Sequence, residues 1–325
     1  MRQPGGLILI GLGAFFLALA PLVRFYVADR AVTAPLNSHE VTRLESENST
    51  YFDESRLKLK TGVTLLAKTT VHAEANGNDI ATWDSATHLY EKPAPDKPIQ
   101  IQSHRVAFDR RTGRLVNCCG VNVDGDRTVR MAGYGPLFPI ANVQKRDYPS
   151  YDLTTKQQAP MRFDGVEKVR GLTTYRFTQT IPLTRTSAFD VKVPAGLLGL
   201  PPNAGDQKVD RYTEASNTVW VDPRTGIPVK HRKNVRGTVR TLDGKASMVI
   251  TQADLITVGA DQRRLIDMAD DKALQITVVR TYVPGAALLI ALILLSVGTH
   301  QTLTRPATTD TRSKQHSEED MQPLQ

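Results

Sequence analysis

The sequence has few of the residues that support metal, redox or nucleotide chemistry. Its two cysteines are adjacent, and its seven histidines are scattered without a CxxC or HExxH spacing, which argues against a zinc site. It also contains no GxSxG, no P-loop and no dinucleotide fingerprint. We therefore predict that the chain is not an enzyme and that it binds no metal and no cofactor.

Charge is absent from two long apolar runs, one near each end. The run Gly5–Val23 has 19 uncharged residues, close to the roughly 20 that a helix needs to cross a bilayer. A cleaved signal peptide is the alternative, but Pro21 directly follows the candidate cleavage site Ala18–Ala20. The run Val283–Thr299 has 17 uncharged residues, and a buried core helix is its alternative. We interpret both runs as membrane spans.

The spans divide the chain into six predicted segments. These are an N-terminal anchor at 1–28, two β-rich lobes at 29–160 and 161–259, a juxtamembrane helix at 260–282, a span at 283–299 and a disordered cytoplasmic tail at 300–325. The charges that flank the first span do not fix its orientation. A short N-terminus before a long translocated domain favours a two-pass protein of the cytoplasmic membrane, with both termini cytoplasmic and the central domain outside.

The segment between the spans is basic. Of the 41 basic and 33 acidic residues in the chain, five and four lie outside residues 29–282, which leaves this segment a net charge of +7. Such a domain suits anionic lipid head groups or anionic envelope polymers, and a solvated surface without a partner is the alternative. No nucleic acid is expected as a partner, and the oligomeric state stays open.

Runs of β-branched and aromatic residues predict strands throughout this segment. Two turns within it repeat each other, because FDRRTGRLV and VDPRTGIPV share Asp, Thr and Gly at an offset of 113 residues. Asp109 and Asp222 are expected to accept backbone N–H bonds, and Gly113 and Gly226 to supply a positive φ. The predicted fold class is α+β: two terminal transmembrane helices flank a β-rich, antiparallel-sheet ectodomain, for which duplication is an open alternative.

The adjacent pair Cys118 and Cys119 is predicted to lie outside the cytoplasm, where thiols tend to oxidise. Neighbouring Cα atoms are ~3.8 Å apart, below the usual disulfide range of ~4.4–6.8 Å. A vicinal disulfide would therefore be strained and relatively easy to reduce. A redox switch or a rigid turn is one interpretation, and a structural bridge or an unreacted buried pair is the alternative.

Several segments together resemble the actinobacterial porin PorA family, a domain-of-unknown-function family of envelope proteins. They are the N-terminal RQPGGLILIGLGAFFLALAPLVRFYVA, the NCCG that follows FDRRTGRLV, the strand GLTTYRFTQTIP and the C-terminal span. The resemblance runs from about Met1 to Thr299, and it implies an envelope protein and, by the family's name, a pore. The hairpin VWVDPRTGIPVKH is also similar to strands of LolA-like lipid and lipoprotein carriers, which implies a curved sheet with an apolar cavity.

These observations predict a non-enzymatic envelope protein whose outer domain binds a lipid, an anionic polymer or a protein partner. A channel-forming protein is the first alternative, and it follows from the family resemblance. A scaffold without a ligand is the second alternative.

Overall fold

The computed structural model describes residues 5–34, 39–76, 79–93 and 97–304. Two compact units make up the chain: Met1–Phe25 with Arg280–Gln325, and Tyr26–Val279. Of the tail predicted to be disordered, residues 305–325 lie outside the described residues, and the helix before them continues to Leu303.

The first unit contains two apolar helices, α1 (Gly5–Leu22) and α4 (Val283–Leu303). Both helical segments are long and apolar enough to cross a membrane. The helices pack closely, since a Cβ added to Gly13 would lie 2.7 Å from the side chain of Leu295. Small residues allow this approach, and those buried along the contact are Gly6, Gly13, Ala20, Ala287, Ala291 and Gly298.

Shorter helical segments connect these helices to the second unit. A π-helical turn and a four-residue helix, α2, follow α1, and a longer amphipathic helix, α3, precedes a second π-helical turn. Their bounds are Val23–Val27, Ala28–Ala31 (α2), Gly259–Thr277 (α3) and Val278–Tyr282. The helix predicted at 260–282 thus corresponds to α3 and the π-helical turn that follows it.

The second unit is built on a large curled antiparallel sheet of eleven strands. Nine of its strands have eight or more residues: β1 His39–Asp53, β2 Lys58–Asn76, β3 Ile80–Glu91, β4 Gln100–Asp109, β9 Arg162–Val169, β10 Leu172–Ala188, β11 Val209–Val221, β12 Pro228–Thr241 and β13 Ser247–Thr257. The short strands are β5 Leu115–Val116 and β6 Asn122–Val123 in the sheet, and the separate pair β7 Tyr151–Asp152 and β8 Gln157–Gln158.

The strand order is β5-β4-β3-β2-β1-β13-β12-β11-β10-β9, with β6 beside β4. The first and last long strands of the chain are neighbours, because β1 pairs with β13 at Thr50 and Gln252. The strands assigned to two lobes, at 29–160 and 161–259, are therefore joined in one hydrogen-bonded sheet. Duplication of the domain stays a prediction.

Hydrophobic packing joins both halves of this sheet to the connection at 117–161. Met131 and neighbouring residues pack around Phe108 of β4, while Phe138 and Tyr148 pack around Phe177 of β10. One face of α3 is buried with the residues around Trp220 of β11. The connection and α3 thus fix the positions of the turns at the ends of β4 and β11.

Candidate functional site

The first repeated turn, Asp109–Gly113, ends strand β4. The carboxylate of Asp109 accepts the backbone N–H groups of Arg111 at 3.0 Å and Thr112 at 2.8 Å. Burial raises the pKa of Asp109, but these hydrogen bonds outweigh it and leave that pKa below its usual value. Gly113 has φ +75°, and its N–H donates to the Asp109 carbonyl at 2.8 Å.

The second repeated turn, Asp222–Gly226, follows strand β11 and has similar hydrogen bonds. The carboxylate of Asp222 accepts the backbone N–H of Arg224 at 3.0 Å and the hydroxyl of Thr225 at 3.0 Å. Gly226 has φ +83°, and its N–H donates to the Asp222 carbonyl at 2.8 Å. The structure thus places a carboxylate acceptor and a glycine of positive φ at equivalent positions of both turns.

The structure brings the two turns together on one segment, Leu137–Val143, which we call the strap. A Cβ added to Gly113 would lie 2.8 Å from the carbonyl oxygen of Phe138, and one added to Gly226 would lie 2.5 Å from that of Pro139. Neighbouring carbonyls of the strap therefore lie against equivalent glycines. This close approach requires glycine in addition to the positive φ.

Each turn also holds one segment that leads to a terminal helix. The guanidinium of Arg110, in the first turn, donates to the Thr33 hydroxyl at 3.0 Å and to the Ala34 carbonyl at 3.1 Å. In the second turn, the guanidinium of Arg224 donates to the carboxylate of Asp270 on α3 at 2.6 Å. The two turns thus connect the strap to the residues after α2 and to α3.

A groove of about 240 Å³ lies among these parts, and we call it the clasp groove. It is lined by residues 31–34, by Leu137 and Ile140 of the strap, by residues 225–227 and by Lys272, Gln275, Ile276 and Val279. Most of these side chains are apolar. Lys272 donates to the side-chain oxygen of Gln275 at 3.1 Å, and no described carboxylate forms an ion pair with it. The groove therefore combines an apolar lining with one cation.

A second group of polar side chains lies on strands of both halves of the sheet. Lys233 on β12 is 3.4 Å from the Thr154 hydroxyl. The pKa of His104 on β4 and that of His231 on β12 are both lowered to about 4, mainly by burial and to a smaller extent by the charge of Lys233. Both histidines thus lie near one lysine, although four strands separate β4 from β12 in the sheet.

Cys118 and Cys119 follow the first repeated turn in the chain and are joined in a vicinal disulfide. Beyond them, Asn122 on β6 lies beside Arg105 on β4, and Arg105 forms an ion pair with Asp84. These three residues and His104 line a groove of about 390 Å³, which we call the outer groove and whose lining residues are mostly polar. The cysteines therefore adjoin a site different from the clasp groove.

Three residues of these sites were not found from the sequence. Arg110 is part of the repeated turn, but a turn motif gives no information about its contact with Thr33. Lys272 lies within the predicted helix, where nothing distinguishes it from a solvated lysine. Lys233 lies in a strand, and the residues near its side chain, such as Thr154, come from distant parts of the chain.

The described part of the chain therefore defines a class: two apolar terminal helices flank a large antiparallel sheet. Residues 5–300 match the family described as Porin PorA, and the chain belongs to this family. A similar relative is Porin PorA of Corynebacterium amycolatum, which is 23% identical over 295 residues, covering 70% of this chain and 76% of the relative. The family resemblance of the sequence is thereby confirmed. Family membership and the apolar helices support a membrane protein of the cell envelope, and the family's description favours a non-enzymatic one.

Proposed function

We propose that this chain is a non-enzymatic envelope protein that binds an amphiphilic ligand with an anionic head group in the clasp groove. The observation that supports this function best is the presence of Lys272, without a carboxylate partner among the described residues, in an otherwise mainly apolar groove. Ligand sites commonly combine an apolar lining with a few polar groups that orient the ligand. The net charge of +7 between the spans also favours an anionic ligand.

In this proposal α1 and α4 cross the cytoplasmic membrane, and the unit Tyr26–Val279 lies outside with both termini in the cytoplasm. Ion pairs across neighbouring strands support exposure of this unit to water. Examples are Arg176 with Glu167 at 2.9 Å and Arg232 with Asp254 at 2.6 Å. A surface with so many charges is unsuited to contact with lipid chains.

Binding of a defined probe tests this function. Full-length protein in detergent is titrated with a fluorescent fatty acid, and in parallel with the corresponding fatty alcohol. We expect Lys272→Met to weaken binding of the acid about tenfold, which is the effect of losing about 1.4 kcal/mol from a charged contact, and to change binding of the alcohol little. Lys168→Met is the control, because it removes an exposed cation outside the groove. Equal affinity of Lys272→Met and the unchanged protein for the acid would contradict the proposal.

A channel is the second candidate function, and the family's description favours it. The two spans contain no charged residue, so a water-filled path along them would require several copies of the chain. Conductance of purified full-length protein in planar bilayers tests this candidate. Discrete channel openings that persist across independent preparations would support it, and silent bilayers with verified protein insertion would count against it.

A further inference from the structure

The vicinal disulfide lies in a tight turn, Cys118–Val121, which we call the cysteine turn. The N–H of Val121 donates to the carbonyl of Cys118 at 3.2 Å. Cys119 has φ +63° and Gly120 has φ +80°, so two successive residues adopt the left-handed conformation. A residue with a side chain adopts this conformation only at an energetic cost. The turn therefore depends on the local bonds that hold it in this conformation.

The cysteine turn connects two short strands that pair with the same long strand. Before the turn, β5 pairs with β4 at Ala107 and Phe108; after it, β6 pairs with β4 at His104 and Arg105. The disulfide therefore fixes the path of the chain between two short pairings on one strand. Strands of two residues contribute few hydrogen bonds of their own.

Contacts on the two sides of the turn differ in kind. Before it, the side chain of Asn117 exchanges two hydrogen bonds, both of 2.8 Å, with the backbone of Met131, and the cysteines pack against the buried cluster around Phe108. After it, the Asn122 side chain donates to the Gly120 carbonyl at 3.1 Å, within the same turn, while Val121 and Val123 are buried in the cluster around Phe108. Loss of the turn would therefore loosen the polar edge of β6, at Asn122, before it disturbs the buried valines.

We propose that Cys118 and Cys119 form a redox-responsive latch, which a dithiol reductant opens to loosen the pairing of β6 with β4. The oxidised form is the resting state outside the cytoplasm, where thiols are not kept reduced. A bridge between adjacent residues closes the shortest loop available to a chain, so it restricts the unfolded chain least. Its opening should thus change the local turn while the fold persists.

The exchange with the reductant is balanced. A thiolate of the reductant attacks one sulfur of the bridge, forms a mixed disulfide and releases the other cysteine as a thiolate. The second thiol of the reductant then attacks the mixed disulfide and releases the remaining cysteine. The bridge gains two electrons and two protons in total, and the reductant leaves as its own disulfide.

Opening of the latch would alter the outer groove. Asn122, on β6, lines this groove together with Asp84 and Arg105, and the backbone N–H of Asp124 donates to the Ser103 carbonyl at 2.7 Å. Loosening of β6 removes Asn122 from its place beside Arg105 and breaks the bond at Asp124. The redox state of the cysteines thus determines the shape of a polar surface groove.

Hydrogen exchange on full-length protein in detergent tests the latch. The protein is incubated in dithiothreitol buffers, free thiols are counted by maleimide mass shift, and amide exchange is measured by mass spectrometry. We expect both thiols to appear together, with exchange at Val121 and Asp124 accelerated at least tenfold and exchange in β10–β12 unchanged, because the N–H groups of Val121 and Asp124 donate to Cys118 and Ser103. The double variant Cys118→Ser/Cys119→Ser should exchange like the reduced protein and should not respond to dithiothreitol.

Three results would overturn the latch. The bridge could stay closed in excess dithiothreitol, or exchange could stay the same after both thiols appear. Global acceleration of exchange upon reduction would instead identify a structural bridge. If the double variant does not fold, reduction of the unchanged protein still distinguishes these outcomes.

Discussion

Gly226 shows how strongly a single residue is constrained where the second turn meets the strap. Its φ is +83°, and a Cβ would lie 2.5 Å from the Pro139 carbonyl oxygen. Gly125 has a similar φ of +81° but nothing within 4 Å of an added Cβ. Alanine substitutions at these two glycines therefore separate the energetic cost of the left-handed backbone from that of a steric clash with the strap.

We predict that Gly226→Ala lowers the free energy of unfolding by about 2–4 kcal/mol, because it adds a steric clash to the left-handed backbone cost. Gly125→Ala should cost about 1 kcal/mol, from the backbone alone. Denaturant unfolding of full-length protein in detergent measures both variants. Equal losses at the two positions would show that the strap does not press against the second turn.

His231 makes stability depend on pH. Burial and, to a smaller extent, the charge of Lys233 lower its pKa to about 4. For His104, burial is again the main cause of a pKa of about 4, Lys233 lowers it too, and Asp124 and Asp84 partly oppose the shift. Because a folded pKa below the ordinary 6.5 favours the neutral form, stability is fully present above pH 6.5 and is lost as the pH falls towards 4.

We predict that the free energy of unfolding falls between pH 6.5 and pH 4, by up to about 3 kcal/mol for each buried histidine. His231→Gln should flatten this slope by about half. His72→Gln is the control, because the His72 side chain is 58% exposed. Denaturant unfolding at a series of pH values provides the measurement, and an unchanged slope in His231→Gln would contradict the burial of a neutral imidazole.

At the scale of elements, the second turn joins β11 to α3 through Arg224. Its guanidinium contacts Asp222, whose side chain is fully buried, and Asp270, whose side chain is 56% exposed. Loss of the Arg224 cation removes an ion-pair partner of the buried Asp222 carboxylate. A buried charge without its partner destabilises the folded state. Loss of the exposed partner removes only a surface ion pair, which is worth little.

We predict that Arg224→Met costs about 2–3 kcal/mol of unfolding free energy, whereas Asp270→Asn costs less than about 1 kcal/mol. The same unfolding measurement compares the two variants. If both variants lost similarly little unfolding free energy, Arg224 would not stabilise the buried carboxylate of Asp222.

A sequence motif can indicate the turns because their hydrogen bonds are local. Asp109 bonds to groups two and three residues further along the chain, and Gly113 needs only its own φ. The contact of both turns with Phe138 and Pro139 depends on residues 25 or more positions away, which the motif does not specify. The pairing of β1 with β13 is equally non-local, and the single sheet was therefore not predicted.

At the scale of the whole molecule, the proposed function depends on the clasp groove, which is formed entirely within the unit Tyr26–Val279. Arg110 of the first turn donates hydrogen bonds to Thr33 and Ala34. Arg224 of the second turn donates one to Asp270. These bonds hold the segments that line the groove. Ile276 lines the groove, whereas Leu274, on the same helix, is 59% exposed and does not line it. These two positions allow the groove to be filled in one variant and left open in the other.

The most direct measurement is the amount of amphiphile that co-purifies with full-length protein, determined by mass spectrometry of its organic extract. We predict a stoichiometric amount of an anionic amphiphile in the unchanged protein and in Leu274→Trp. Ile276→Trp should contain at least tenfold less amphiphile, because the tryptophan side chain would fill the groove. Equal amounts in both tryptophan variants, or no bound amphiphile in any of them, would contradict ligand binding in the clasp groove.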